Sequence, residues 1–394
     1  MKLPLIHFDC RHFMGSKPCF ANKEYGVFCS NCSFYERDSE IECEFPPIGN
    51  AGIEGDKEGY KKIIIIKLDA VGDVLRTTSL LPSLKAKYFD SSVTWITKEK
   101  SFEVLKDNDL IDEIYFDNDE LGHIYNDDFD IAINLDSGEE SCAIMSEISS
   151  KERFGYYLIN GKPYSVNDLA NEWYLMGVED SFKKKNNKTY HQIIHEICNL
   201  SYYGSKPVLN ITPEKLKRIE VLKDKFSLHR FAGFILVNLG GGVRWQYKKW
   251  TKEGYIELVN RLSGLDSTTA IGIIAGDEDR DFYEEISREI INRDNIIYLG
   301  CDNTVEDFIC IIKMSDKIFT SDSLAFHIAT ALSKYVAVVV GPTSHTELDV
   351  FGKGKIIYSD KMDCLSCYLT RCDKTVTCMN TLNAEDMLKN LIEQ

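Results

Sequence analysis

Four consecutive isoleucines, Ile63 to Ile66, are too few and too β-branched for a helix and too apolar for a surface, so they predict a strand buried on both faces. The segment that follows places apolar Val74, Leu75, Leu80, Leu81 and Leu84 at helical spacing, with Pro82 tolerable only where the helix kinks or restarts. Gly72 and Asp73 sit in the turn between them. A buried parallel strand feeding a loop and a helix puts that loop at the carboxyl edge of a sheet, where doubly wound folds hold ligands, and makes Asp73 a carboxylate in a binding crevice.

The same alternation continues along the chain. Strands are predicted at Val93 to Ile96, Glu113 to Phe116 and Phe129 to Asn134, with helices at Phe102 to Leu105 and Glu139 to Ile148. Tyr156 to Asn187 is polar, lacks a clear period and should include loops near the acceptor side or the domain boundary, and a helix follows from Tyr190 to Tyr203. A second alternating run opens with a helix from Lys215 to Phe226 and a strand from Phe234 to Asn238. It continues through Thr269 to Ile274, Ile296 to Leu299, Val305 to Met314, Lys317 to Thr320, Leu324 to Leu332 and Val336 to Val340, and ends in a helix from Ala384 to Gln394. The expected organisation is an irregular extension over 1–58, a first α/β domain over 59–212 and a second over 213–394, each with a parallel sheet. The active cleft of such a pair normally lies between its members.

Composition narrows the function. A net charge of −16 argues against nucleic-acid binding, which needs a basic surface. The Lys183 to Lys188 run reads as a solvated loop. No apolar stretch approaches the roughly 20 residues of a membrane span, and the first twenty or so residues carry His, Asp and Arg where a signal peptide needs an apolar core, so a cytoplasmic setting is expected.

Thirteen cysteines are many for such a setting, and most are clustered. Cys10, Cys19, Cys29 and Cys32 form C-x8-C-x9-C-x2-C, and Cys364, Cys367, Cys372 and Cys378 form C-x2-C-x4-C-x5-C. In a reducing compartment clustered thiols more often bind metal than form disulfides. Either set suits tetrahedral Zn, a single Fe or an iron–sulfur cluster, and the two groups could also meet at one shared locus. His7 or His12 could replace one early cysteine, and Cys43 could be a spare ligand. Cys142, Cys198, Cys301 and Cys310 lie in apolar or helical surroundings and read as core residues.

Four ligand-type loops each follow an apolar strand. Beside Gly72-Asp73 there is Gly240-Gly241-Gly242 with Arg244 and Lys248, suited to a phosphate met by backbone amides and cations. The acidic turn Gly276-Asp277-Glu278 suits a ribose or base, and Ser321-Asp322-Ser323 with His327 in the next helix suits a pyrophosphate. The absence of G-x-G-x-x-G after the first strand and of G-x-x-x-x-G-K-[ST] anywhere makes dinucleotide dehydrogenases and P-loop NTPases poor fits.

The order of these motifs resembles that of the ADP-heptose:lipopolysaccharide heptosyltransferases, glycosyltransferase family 9, across Lys61 to Gln394. The resemblance rests on VGDVLRTTSLLPSLK, VNLGGGVRWQYKKW, IIAGDE, TSDSLAFHIATAL with VVVGPT, and CLSCYLTRCDKTVTCM. It implies a GT-B fold, two Rossmann-like domains with parallel sheets, here preceded by the cysteine-rich extension. It implies an inverting transfer of a heptose or related sugar from a nucleotide sugar, ADP-heptose favoured, to a glycan or protein hydroxyl. Asp73 matches the catalytic base. Gly72, the glycine triplet Gly240, Gly241 and Gly242, Arg244, Lys248, Glu278, Asp322, Ser323 and His327 match donor-contacting positions.

Two residues depart from the family pattern: Leu324 stands where a glycine is usual, which bears on the donor pose, and Thr251 where proline is common. The family uses no catalytic divalent metal, so Zn or Fe at the cysteines is expected to be structural. Bacterial heptosyltransferases that modify autotransporter proteins are similar in joining this fold to a cysteine-bound iron, which adds iron at the late group and a protein acceptor to the options. Homo-oligomerisation is a further option. The alternative reading, supported by Leu324 and the doubled cysteine groups, is a non-catalytic nucleotide-sugar-binding or metal-dependent sensor or scaffold that keeps the fold.

Overall fold

The computed structural model describes residues 6–39, 59–242, 246–369 and 371–392; Cys43 and Arg244 lie outside these. The chain divides into two compact units, Met1–Ser205 and Lys206–Gln394. Among the described residues, no helix is long and apolar enough to cross a membrane.

In the first unit the strands are β1 (Lys61–Ile66), β2 (Ser91–Thr97), β3 (Glu113–Phe116), β4 (Asp128–Asn134), β5 (Ser149–Ile159) and β6 (Lys162–Ser165), in the order β3-β2-β1-β4-β5-β6. Ile63 to Ile66 form the centre of this sheet and are at most 1% exposed, each contributing ~1.5–3 kcal/mol by burial. After β1 the chain forms the helix Val71–Thr77 and then restarts as Leu80–Lys87. The break falls at Thr78 and Ser79, where the Thr78 hydroxyl donates to the Leu75 carbonyl (2.7 Å). Pro82 thereby falls in the first turn of the second helix, where its missing N–H is harmless.

Two expectations for this unit are corrected. Tyr156 to Asn187 is more than loops: it holds the end of β5, all of β6, and the helices Asp168–Val178 and Asp180–Lys185, the last of which contains Lys183 to Lys185. The sheet is also not wholly parallel, because β6 pairs antiparallel with β5. Gly155 makes that handover. Its φ is +93°, and a Cβ there would lie 1.7 Å from the Asn134 carbonyl oxygen across the β4–β5 pair. Gly155→Ala should therefore destabilise the protein by about 3 kcal/mol or more, measured by denaturant unfolding; an unchanged midpoint would refute the close approach.

The extension contains a short helix, Phe20–Tyr25, and packs on the first unit instead of standing alone. Phe8 stacks on Tyr174 and meets Tyr164 at a tilt, Asn22 donates to Glu179 (2.9 Å), and Lys23 pairs with Asp180 (2.8 Å). A segment too small for its own core thus borrows an aromatic shelf.

The second unit's strands are β7 (Gly233–Asn238), β8 (Thr269–Ile274), β9 (Ile296–Gly300), β10 (Lys317–Ser321), β11 (Tyr335–Val340) and β12 (Gly354–Tyr358), all parallel, in the order β12-β11-β10-β7-β8-β9. The helices Lys252–Leu265 and Arg280–Glu289 and the strand β12 were not expected from the sequence. Cys142, Cys198, Cys301 and Cys310 are buried.

Candidate active site

Each sheet reverses its strand order once, between β1 and β4 in the first unit and between β7 and β10 in the second. Crevices at the carboxyl ends of strands flanking such a reversal are where open α/β sheets hold ligands.

In the first unit the chain leaving β1 presents Lys67, Asp69 and Asp73. Lys67 is 2% exposed; its ammonium pairs closely with Asp136, which follows β4, and reaches Asp69 at 2.9 Å. The second Asp136 oxygen accepts the N–H groups of Leu68 (2.6 Å) and Asp69 (3.2 Å), which pins the β1 turn. Burial alone would push the Lys67 ammonium down, but Asp136 and Asp69 outweigh it and hold it charged. Burial pushes Asp136 up and the Asp69 charge adds to this against the pull of Lys67, so Asp136 is the carboxyl that protonates first.

This pinned turn leads into the first turn of Val71–Thr77, where Gly72 is buried and Asp73 is partly exposed. Asp73 pairs with Arg76 at 2.7 Å, and the Arg76 guanidinium lies 3.6 Å over the Tyr190 ring, whose hydroxyl is 2.8 Å from that of Thr77. The base candidate is thereby held by a cation that is itself held on an aromatic face.

In the second unit, Asn238 at the end of β7 donates to the Thr320 hydroxyl (3.0 Å) and the Gly240 carbonyl (3.1 Å), while Ser321 donates to the same carbonyl (3.0 Å). These bonds tie the glycine loop to the end of β10. The amides of Gly241 and Gly242 donate to Asp279 (3.0 and 3.2 Å), which also pairs with Lys249 (2.8 Å). These two amides, expected to meet a phosphate, donate here to an internal carboxylate that shapes the loop. Asp279 was missed because DED offers three equivalent carboxylates, of which Glu278 is exposed and only Asp279 turns inward.

Lys248 pairs with Asp322 (2.9 Å), and the Thr343 hydroxyl donates to the same carboxylate (2.8 Å). Burial would push Asp322 up, but Lys248, His327 and Thr343 outweigh it and hold the carboxyl below the usual carboxylate range. Its pair with Lys248 thus persists through neutral pH and is lost only as pH falls through that lowered value. Ser323 begins the helix Leu324–Ala331 but caps none of its amides; its hydroxyl is 3.1 Å from that of Thr320. First-turn amides that no side chain caps, near the partly buried Lys248, suit an anion. Leu324 has no left-handed backbone angle and is half-buried in this first turn, so its departure from glycine costs no backbone strain.

The late cysteines Cys364, Cys367, Cys372 and Cys378 line one small cavity together with Tyr247, Gly341 and Pro342. Burial, with the fields of Cys367, Cys364 and Cys372, pushes the Cys378 thiol up to about 11. In the extension, burial also pushes Cys29 up, with Glu179, Cys19 and Cys32 adding to it; Cys10 is buried and forms an isolated antiparallel bridge with Arg37. His7 and His12 lie 3.9 Å from Asp9 and Glu36. Among the described residues, no group of three or more His, Cys, Asp or Glu is arranged to hold a metal ion. The late set nonetheless fits one chemically: four soft ligands face a common space, and protonated thiols do not close to the ~2.3 Å of a Zn–S bond.

Residues 123–376 match the family described as glycosyltransferase family 9 (heptosyltransferase), a span that begins after Asp73. Lipopolysaccharide heptosyltransferase 1 of Campylobacter coli is 25% identical over 349 residues, covering 83% of this chain and 97% of that protein. Among solved structures, a family 9 glycosyltransferase from Veillonella parvula has a TM-score of 0.66 at 15% identity, covering 86% of this chain and 97% of that one. ADP-heptose LPS heptosyltransferase II of E. coli has a TM-score of 0.56 at 18% identity, covering 83% and 98%. An E. coli heptosyltransferase solved with ADP has a TM-score of 0.55 at 13% identity, covering 83% and 97%. The two α/β units with their strand-end sites are thus those of a GT-B protein, and the chain belongs to glycosyltransferase family 9, the heptosyltransferases.

Proposed function

We propose that this protein transfers a heptose or related sugar from ADP-heptose to a glycan or protein hydroxyl, with inversion at the anomeric carbon. The observation that carries this reading is the Lys248–Asp322 pair beside the uncapped helix start at Ser323, an anion site at the strand reversal of the second unit. The C. coli relative's name favours a heptose, and the ADP found with one structural neighbour favours an ADP-sugar. In the proposed reaction the acceptor oxygen attacks the anomeric carbon and gives its proton to Asp73. The bond from that carbon to the diphosphate breaks, and ADP leaves with its charge offset by Lys248, His327 and the helix amides. Arg244 and Glu278 would complete the donor contacts, and Gly72 would let the Asp73 turn approach the sugar. A cytoplasmic setting accords with this substrate.

The test is calorimetric titration with ADP. The protein should bind it, and Lys248→Ala should weaken binding roughly 10–100-fold, as expected for loss of a charged hydrogen bond; equal affinity would remove Lys248 from the donor site. Half-buried Leu324 favours the second reading, a protein that binds the nucleotide sugar without turning it over. Binding of ADP-heptose with no transfer to any acceptor would support it.

A structural Zn or Fe, or an iron–sulfur cluster, is assigned by the same proposal to Cys364, Cys367, Cys372 and Cys378, with a second site at Cys10, Cys19, Cys29 and Cys32. Its chemistry would be that of a brace, linking thiolates that the loop only gathers. Elemental analysis of anaerobically purified protein should find Zn or Fe, whereas a fully folded, metal-free protein would contradict the assignment.

A further inference from the structure

The cysteine loop also reaches the donor side of the second unit. Within it Ser366 and Tyr368 take left-handed backbone angles, φ 56° and 49°, which residues with a Cβ rarely adopt. The Tyr368 N–H donates to the Pro342 carbonyl (2.8 Å). Its hydroxyl accepts from the Ser344 N–H (3.1 Å) and donates to Glu347 (3.1 Å). The segment it grips includes Thr343, whose hydroxyl holds Asp322.

A second contact runs alongside. At Gly341 a Cβ would lie 2.6 Å from the Tyr247 carbonyl oxygen, 2.8 Å from the Met379 methyl and 3.3 Å from the Cys378 sulfur. The end of β11 is thus wedged between a thiol and the residue preceding Lys248. Neither contact is needed to gather the thiols, yet both lead to the Lys248–Asp322 pair.

We propose that Tyr368 is a positioning residue for the donor site, and that through it the state of the four late thiols sets how tightly the second unit holds a nucleoside diphosphate. The inference rests on the donor reading above. A metal drawing the thiols together would shift the backbone at Cys367, and with it the neighbouring Tyr368 hydroxyl that holds Ser344 and Glu347. Linkage makes the effect reciprocal: ADP must change metal affinity by the same factor that metal changes ADP affinity.

The experiment is ADP titration of the whole reduced protein, first stripped with chelator and then loaded with Zn(II) or, anaerobically, Fe(II), with excess metal removed. In the wild type the ADP dissociation constant should differ by about 5-fold or more between the two states. In Tyr368→Phe, which keeps the ring, metal stoichiometry and cooperative unfolding should be retained while the difference falls below about 2-fold. Glu347→Gln keeps an acceptor for Tyr368 and should keep the coupling. Equal ADP affinity in loaded and stripped wild type, or undiminished coupling in Tyr368→Phe, would overturn the proposal. Failure of ADP to bind in either state would instead overturn the donor reading, and the coupling with it.

Discussion

Asp73→Asn should lower sugar transfer from ADP-heptose by ~10²–10⁴-fold while leaving ADP affinity unchanged, the loss expected when a general base is removed without disturbing a binding site. The substitution keeps size and polarity but cannot take the acceptor proton. Asn at this position still reaches Arg76, which remains on the Tyr190 ring, so the local fold is retained. The readout is ADP release in the presence of acceptor, alongside calorimetric ADP binding. Wild-type turnover in the variant would exclude Asp73 as the base. Lost ADP binding would mean that Asp73 acts on the donor instead.

The largest expected stability effect lies a few residues upstream. Lys67→Met removes a buried ammonium and leaves the buried Asp136 carboxylate without its cation, which costs about 3–5 kcal/mol. For a unit of this size that corresponds to a fall of roughly 6–20 °C in melting temperature. The pH dependence has a definite sign. With no ammonium to oppose burial, the folded pKa of Asp136 in the variant stands above its unfolded value, so the folded state binds the extra proton. The variant's stability is therefore greatest in acid and falls as pH rises through the folded value. Thermal melts at pH 5 and pH 8 check this; a variant equally stable at both, or as stable as wild type, would show that the Lys67–Asp136 pair does not carry the β1 turn.

Where burial follows a simple period, the sequence was readable. Ile63 to Ile66, Thr269 to Ile274 and Val305 to Met314 are elements whose apolar residues announce their own environment. Tyr156 to Asn187 was misread because its core is built from tyrosines. Tyr156 and Tyr174 are at most 1% exposed, and their hydroxyls are satisfied by the distant carbonyls of Ala170 (3.2 Å) and Pro163 (2.6 Å). Such residues look polar in a linear reading and become apolar only once their partners are in place. Asn167, whose side chain caps the helix Asp168–Val178 by accepting from Ala170, was the available signal.

The site divides in the same way. Asp73, Lys248, Asp322 and Ser323 follow the ends of β1, β7 and β10, in loops or first helical turns, and are proposed from position and residue type. Asp279, Lys249, Thr343 and Tyr368 act through side chains that meet residues twenty or more positions away. Nothing local marks them. The order of strands that places Lys67 beside Asp136, and Asn238 beside Thr320, is set by long-range pairing that no window of sequence contains.

The most direct test of the account is the anomeric configuration of the transferred sugar, determined by NMR on the product made from ADP-heptose. Single displacement with Asp73 as base predicts a product whose configuration is opposite to that of the donor, formed by wild type and lost in Asp73→Asn. A product with the donor's configuration retained would contradict it.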